Sequence, residues 1–353
     1  MSGTSDPPPW LSLPFALALV LFIAATGARS EPWGAGRLDG VNVIVTPGHP
    51  FGSATARTSL ARAKQLGARA IAVVPFLWQS TPSSADLVRG ADMSDDELRA
   101  GIRQAHALGL SVLVKPHVWV PQSWAGAVAM KSSKDWQEWF ANYGRELDRI
   151  ARVAAADQAE ALAIGTELKS TTQNPQWREL IGATRSIYRG RLIYMAHNVE
   201  EAEAVTFWDA LDAIGVTLYP PFGADDDRDG RRSIMRAVAE RLDALQERSA
   251  KPIVVGEIGL RSAEGAAARP WESAEERTSA PDPALQAAVI EDWLAVLDRP
   301  TVSGVLIWRW FTDPDAGGPA DTDFTVQHKP AERVLACVWA HLCAKGQARA
   351  PFP

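Results

Sequence analysis

The chain has 353 residues, with 36 Lys+Arg against 42 Asp+Glu, a formal net charge of −6 and 46% hydrophobic residues, the balance of a folded protein with a large core. It holds no long basic run, which argues against a nucleic-acid partner. Two cysteines, Cys337 and Cys343, are too few for a Cys-rich zinc site or an iron–sulfur cluster, and no cofactor is expected. Trp is abundant at 14 while Tyr is scarce at four; flat apolar rings suit a cleft that stacks on sugars.

The N-terminal segment carries an apolar run, LSLPFALALVLFIAAT, followed by the small residues Gly27 and Ala28. Residues 1–30 therefore read as a secretory signal peptide or, because the first ten residues lack Lys and Arg, as a membrane anchor through residues 10–28. Export to the periplasm or the exterior is the expectation, and residues 37–345 form the expected folded domain.

Beyond residue 37, short apolar runs alternate with amphipathic segments. The strands expected are 41–46, 69–75, 111–115, 161–165, 191–196, 213–217, 252–257 and 303–308. Between them, apolar spacing at three and four residues predicts helices over 95–108, 134–155, 176–188, 233–248, 285–297 and 331–342. Each strand is nearly continuous in apolar residues, as expected when helices cover a parallel sheet. Eight β/α units in one domain predict a (β/α)8 TIM barrel, an α/β fold. A doubly wound open sheet is the other candidate, but the turn after the first strand, Pro47-Gly48-His49-Pro50-Phe51-Gly52, lacks its phosphate-binding glycine spacing. Along one helix the six-residue step between the cysteines spans ~9 Å, beyond the ~7 Å reach of a bridge. No disulfide is expected unless that helix ends between them.

A TIM barrel builds its active site where the strands stop at their C-terminal ends. Those ends present Trp78 and Gln79, His117 and Trp119, Glu167, His197 and Asn198, Tyr219, Glu257, and Trp308 with Trp310. Two are carboxylates, each directly after an apolar run. Such a group is expensive to desolvate unless paired, hydrogen-bonded or protonated. Two carboxylates flanking a glycosidic bond would explain both, one as acid and one as nucleophile; the alternative is that each is a structural partner of some Arg.

Several tracts resemble glycoside hydrolase family 113, within the retaining clan A barrels. They are Leu108-Gly109-Leu110 with Lys115-Pro116-His117, Ile164-Gly165-Thr166-Glu167-Leu168, Asn198 with the segment from Phe207 to Gly215, Lys251-Pro252 with Gly256-Glu257-Ile258-Gly259 and Arg261-Ser262, and Asp321-Thr322-Asp323-Phe324 with Lys329-Pro330-Ala331. The similarity runs from about residue 40 to 342. The characterised activity of that family is β-mannanase, and the resemblance implies that Glu167 is the general acid/base and Glu257 the nucleophile. Most of the clan has Asn before the acid/base; Thr166 stands there here, so Asn198 becomes the candidate for the sugar 2-hydroxyl, with loop capping as its alternative.

The remaining substrate-binding candidates are Trp78, His117, Trp119, Tyr219, Trp308 and Trp310. Tyr219 would donate to Glu257; His117 would bind a sugar hydroxyl or pack in the core. Trp308 and Trp310 face the same way if the strand runs straight, and either would floor a subsite or pack in the core. Glu167 is expected to have a pKa above the ~4.3 of a free Glu, through the neighbouring carboxylate and desolvation. Asp225, Asp227, Asp229 and Gly230 have the spacing of a calcium loop, but Arg236 replaces its bidentate Glu, so no metal site is expected. The long connection 261–283, with Trp271, reads as a lid or as disorder. The function expected is a retaining glycoside hydrolase acting on a β-linked polysaccharide or oligosaccharide. A barrel that binds carbohydrate without turnover, serving polysaccharide assembly or export, is the alternative.

Overall fold

All eight predicted runs form strands, and in the computed structural model they close on one another. The structure describes residues 1–3, 37–91 and 93–342; the segment read as a signal peptide or anchor lies almost wholly outside them. Among the described residues no helix is long and apolar enough to cross a membrane. In chain order the elements are β1 (Gly40–Ile44), α1 (Ala54–Gln65), β2 (Ala70–Val73), β3 (Phe76–Trp78), β4 (Val88–Arg89), α2 (Asp95–Ala107), β5 (Ser111–Val114), β6 (His117–Trp119), α3 (Ser133–Ala156), β7 (Ala161–Thr166), α4 (Gln176–Ile187), β8 (Arg191–His197), α5 (Asn198–Ala204), β9 (Ala213–Leu218), α6 (Arg228–Ser249), β10 (Ile253–Ile258), α7 (Pro283–Val296), β11 (Val302–Phe311) and α8 (Pro330–Trp339). Strands β1, β2, β5, β7, β8, β9, β10 and β11 form a closed barrel in that cyclic order, and every pairing in it is parallel. With one helix following each barrel strand, this is a (β/α)8 TIM barrel.

Side-chain alternation sorts the barrel strands into two cores. Outward residues such as Ile71, Val73, Val112 and Val114 pack beneath the helices. Inward residues are mostly small, Ala70, Ala72, Ala161, Ala163 and Ala213, with Ile193 and Met195 filling the axis. The space left is tight enough that a Cβ on Gly215 or Gly256 would come within 2.4 and 2.5 Å of the Met195 sulfur. Side-chain oxygens start the helices where loops feed them: Ser53 for α1, Ser94 with Glu97 as a capping box for α2, and Asp282 for α7, each satisfying backbone N–H groups that the first turn leaves free.

Three short strands escaped the sequence reading. β4, β3 and β6 form a small separate sheet, β3 pairing parallel with β6 and antiparallel with β4. They continue the chain just past β2 and β5, so they stand at the C-terminal mouth of the barrel. Helix α8 stops at Trp339, between the two cysteines, and Cys337 is disulfide-bonded; the early helix end is the condition under which a bridge was allowed. Cys343 lies outside the described residues.

Candidate active site

The two strand-end glutamates occupy one site but different environments. Along β10 the register with β9 shifts between Val255 and Glu257, and such a bulge re-aims the side chain that follows it. Asn42, fully buried on β1, donates to the Gly256 carbonyl at 2.9 Å and so holds the bulge. Glu257 is 3% exposed. Its Oε1 meets the ammonium of Lys115, itself 0% exposed, and its Oε2 accepts from the Tyr219 hydroxyl at 2.8 Å. Burial, then the charges of Glu257 and Glu167, raise the Tyr219 pKa well above its ordinary value, so the phenol keeps its proton and remains a donor.

Glu167 follows β7 with φ +57°, the left-handed region that few non-glycine residues adopt. Its N–H donates to the Met195 carbonyl at 2.7 Å, and its Oε1 lies 3.0 Å from His197 Nδ1 and accepts from the Thr217 hydroxyl at 2.5 Å. Its Oε2 faces His117 Nε2 at 3.8 Å, too far for a hydrogen bond. Burial pushes the Glu167 carboxyl up, but the His197 hydrogen bond and charge, the charge on His117 and the Thr217 hydroxyl outweigh it and bring it to about 2. This is the reverse of the raised value expected from sequence, because the two histidines and the threonine come from other strands. Burial lowers the pKa of His197, yet contact with Glu167 more than compensates and raises it. Burial lowers that of His117, against the charges of both glutamates.

The other predicted residues divide into two groups. Trp308 lies against this site, with Lys115 Nζ 5.0 Å from its ring centroid and His117 at 6.5 Å. Trp78 and Trp119, on β3 and β6, are 41% and 47% exposed with ring centroids 5.9 Å apart, and Phe76 joins them to His117. Together these rings form an aromatic tract leading out of the barrel mouth. Asn198 is committed largely to the protein: its Oδ1 accepts from the Tyr219 N–H at 2.8 Å and its Nδ2 lies 3.0 Å from His197 Nε2.

Trp310 does not join the site. Across the β1 pairing, Val41 and Val43 face Ile307 and Trp310, so β11 carries an extra residue and its facing alternation is reversed after the bulge. Trp310 is therefore turned outward, 0% exposed, with its indole N–H on Ser59 Oγ of α1 at 2.7 Å.

Lys115, Thr217 and Trp124 were not read as site residues, and His197 was noted at a strand end without a role. Lys115 had a legible signal, a cation ending the apolar run Val112-Leu113-Val114, which needs a counter-charge if buried. Trp124, 40% exposed with its ring 4.8 Å from that of His197, lies in a loop with no periodicity to mark it. The acidic loop is structural: Asp227 caps α6 through Gly230 N–H, and Asp225 accepts from Gly265 and Ala267 N–H. Among the described residues no group of three or more side chains is arranged to hold a metal. The 261–283 connection is ordered by a bridge between Ala263 and Pro281 and by Glu272, which pairs with Arg269 and Arg277; Trp271 is exposed.

Comparison with known proteins gives this site a lineage. Residues 45–329 match the model of Glycoside Hydrolase Family 113. The β-mannanase of that family from Alicyclobacillus acidocaldarius, solved in complex with ManMIm, superposes with a TM-score of 0.78 at 25% identity, covering 89% of this chain and 100% of its own. A second family structure, a β-1,4-mannanase, gives 0.76 at 27% identity over 86% of this chain and 99% of its own. A β-glucuronidase from Ruminococcus gnavus, at 14% identity and a TM-score of 0.60 over half of its own length, shares the fold alone. No match is found among curated proteins. With the family model spanning the barrel from the end of β1 to the start of α8, the chain belongs to glycoside hydrolase family 113 and is a glycoside hydrolase.

Proposed function

We propose that the protein cleaves β-linked mannan or manno-oligosaccharides with retention of anomeric configuration, Glu257 acting as nucleophile and Glu167 as acid/base. The observation that carries this is the contrast between the two carboxyl groups. Glu257 has both oxygens engaged, by Lys115 and by Tyr219, donors that favour a carboxylate and aim it. Glu167 has one oxygen anchored by His197 and Thr217 and the other, among the described residues, without a donor. One group suits attack and the other proton transfer, the division retention needs. The mannan assignment rests on the similarity to the two family mannanases.

In the first step Glu257 attacks the anomeric carbon while Glu167 gives its proton to the departing oxygen, leaving a glycosyl ester on Glu257. In the second, Glu167 takes a proton from water, which attacks the same carbon and frees Glu257. Trp308 offers an apolar floor for the sugar being cleaved, and Trp78 and Trp119 offer surfaces for sugars further along the chain. Export follows from the apolar N-terminal run and is checked by fractionating cells that produce the protein.

Incubation with β-1,4-mannan, cellulose-type glucan and xylan, with the product anomer followed by proton NMR, tests the reading. Turnover of mannan with the β-anomer formed first is expected. First formation of the α-anomer, or no turnover, overturns it. Replacing Glu257 with Ala should abolish hydrolysis in a folded protein, whereas Glu167→Ala should retain most activity on substrates with good leaving groups, which need little protonation.

A further inference from the structure

The polarity of the hydrogen bonds around Glu167 decides which of its oxygens carries the proton. The Tyr219 backbone N–H can only donate, so the atom of Asn198 facing it at 2.8 Å is the amide oxygen. That leaves Asn198 Nδ2, which can only donate, 3.0 Å from His197 Nε2. Nε2 must then be the lone-pair nitrogen, and the ring's proton sits on Nδ1, pointing at Glu167 Oε1. An imidazolium at 197 would set an Nε2–H against the amide hydrogens. His117 Nδ1 lies 3.2 Å from the Val118 carbonyl, which can only accept, so Nδ1 carries a proton; burial lowers the pKa of this ring and keeps it neutral, which leaves Nε2 as the lone-pair nitrogen facing Glu167 Oε2.

We propose that Asn198 is a positioning residue for the acid step: by donating to Nε2 it holds His197 as the neutral Nδ1–H tautomer that anchors Glu167 Oε1, so that Oε2 is the oxygen that carries and releases the proton. This rests on Glu167 being the acid/base. Oε1 already receives two donors, from His197 on β8 and Thr217 on β9, and has no room for a proton. Oε2 faces a lone pair on β6, beyond hydrogen-bonding distance, and is free to direct O–H at the leaving oxygen. The O–H bond of Glu167 breaks as the glycosidic C–O bond breaks, the bonding pair of the latter going to the oxygen that takes the proton, while Glu257 forms the new C–O bond.

His117 bears on Glu167, Glu201 and Lys169 bear on His197, and Glu257 and Lys115 bear on His117 across the site. The attraction of Glu167 and Glu201 draws a second proton toward His197, and it is that charged ring that depresses the Glu167 carboxyl; the Asn198 amide opposes the second proton, and with His197 neutral the depressing charge is gone while burial still pushes Glu167 up. Covering the site with substrate removes the remaining water from Glu167, whose side chain is 13% exposed, and favours its protonated form. Asn198 itself has φ +56°, a conformation that Asn and Asp tolerate better than other residues, so Asn198→Asp preserves both the backbone and the acceptor for Tyr219 N–H while replacing the donor with a second acceptor.

In Asn198→Asp, His197 should become imidazolium and hold Glu167 as a carboxylate. Hydrolysis of β-1,4-mannotetraose should fall by about 100-fold or more and that of 2,4-dinitrophenyl β-mannobioside by less than about 10-fold, the range general acid catalysis supplies, and the basic limb of the mannotetraose pH profile should move to lower pH. Equal losses on both substrates, or an unmoved basic limb, overturn the proposal. Nitrogen-15 NMR of the histidine-labelled wild type tests it without turnover: His197 should show a protonated Nδ1 and a bare Nε2 at neutral pH, and both protonated in Asn198→Asp. A wild-type His197 protonated at Nε2 overturns it. Wild-type failure on both substrates would count against the mannanase reading alone, and the NMR result would still decide the tautomer.

Discussion

Lys115 and Glu257 are each nearly or wholly sealed from solvent, and their value lies in being paired. Two buried opposite charges in contact recover much of their desolvation cost, whereas removing one partner strands the other. Lys115→Ala is expected to lower stability by about 3–5 kcal/mol and to cut turnover, because Glu257 loses the contact that aims Oε1. The double variant Lys115→Ala/Glu257→Ala should be less destabilised than the sum of the single variants, measured by urea unfolding. Additive losses would mean that the two side chains do not act as a pair. Glu167 illustrates a second residue-scale effect. Its left-handed backbone costs about 1–3 kcal/mol, and the Glu167 N–H bond to Met195 on β8 is part of what holds it there.

At the scale of elements, two small units outside the barrel sheet shape the site. The β3–β4–β6 sheet presents Trp78 and Trp119 at the barrel mouth, with Phe76 and His117 standing between Trp119 and Glu167. Apolar stacking there adds to ground-state and transition-state binding alike, which lowers KM without raising kcat. Trp78→Ala and Trp119→Ala should therefore each raise KM for mannotetraose by about 5- to 10-fold, some 1 kcal/mol of stacking, with kcat nearly unchanged. A fall in kcat at constant KM would refute the outer-subsite role.

The short helix α5 starts at Asn198 and buries Glu201, which accepts from the Tyr194 hydroxyl at 2.6 Å and from the His197 N–H at 2.7 Å. Burial pushes the Glu201 carboxyl up to about 7, against those two bonds. Because its folded pKa is raised above its unfolded value, Glu201 costs nothing below about pH 4.5, and its cost grows as pH rises to about 7, reaching roughly 3 kcal/mol. The wild type should lose stability across that window, while Glu201→Gln should show a flatter dependence. Unfolding midpoints at pH 5 and pH 8 for both proteins make the comparison, and parallel slopes would exclude Glu201 as the titrating group.

For the whole molecule, the decisive event is closure of β11 on β1. The seam is locked from outside: Trp310 N–H bonds Ser59 Oγ, Ser59 Oγ donates to the Phe311 carbonyl at 2.6 Å, and Gln327 accepts from the Phe311 N–H. Trp310→Ala should destabilise the barrel by about 3–5 kcal/mol, as expected for emptying a large buried site, with the KM of the residual folded enzyme unchanged. A raised KM with unchanged stability would instead return Trp310 to the cleft.

The eight barrel strands were legible in the sequence because helices cover them on one face and the barrel axis on the other, so each is an uninterrupted apolar run. The two glutamates were legible because they break those runs where a TIM barrel exposes its strand ends. Strands β3, β4 and β6 were not, since two or three residues are too few to show a period. Trp310 was left open between cleft and core because one extra residue in β11 reverses the side-chain alternation, and a bulge depends on how the neighbouring strand pairs. The pKa direction of Glu167, the Lys115 contact and the orientation of Asn198 depend on groups from β5, β6, β8 and β9. Chain order keeps these groups tens of residues apart; only closure of the barrel brings their donors and acceptors within 3 Å.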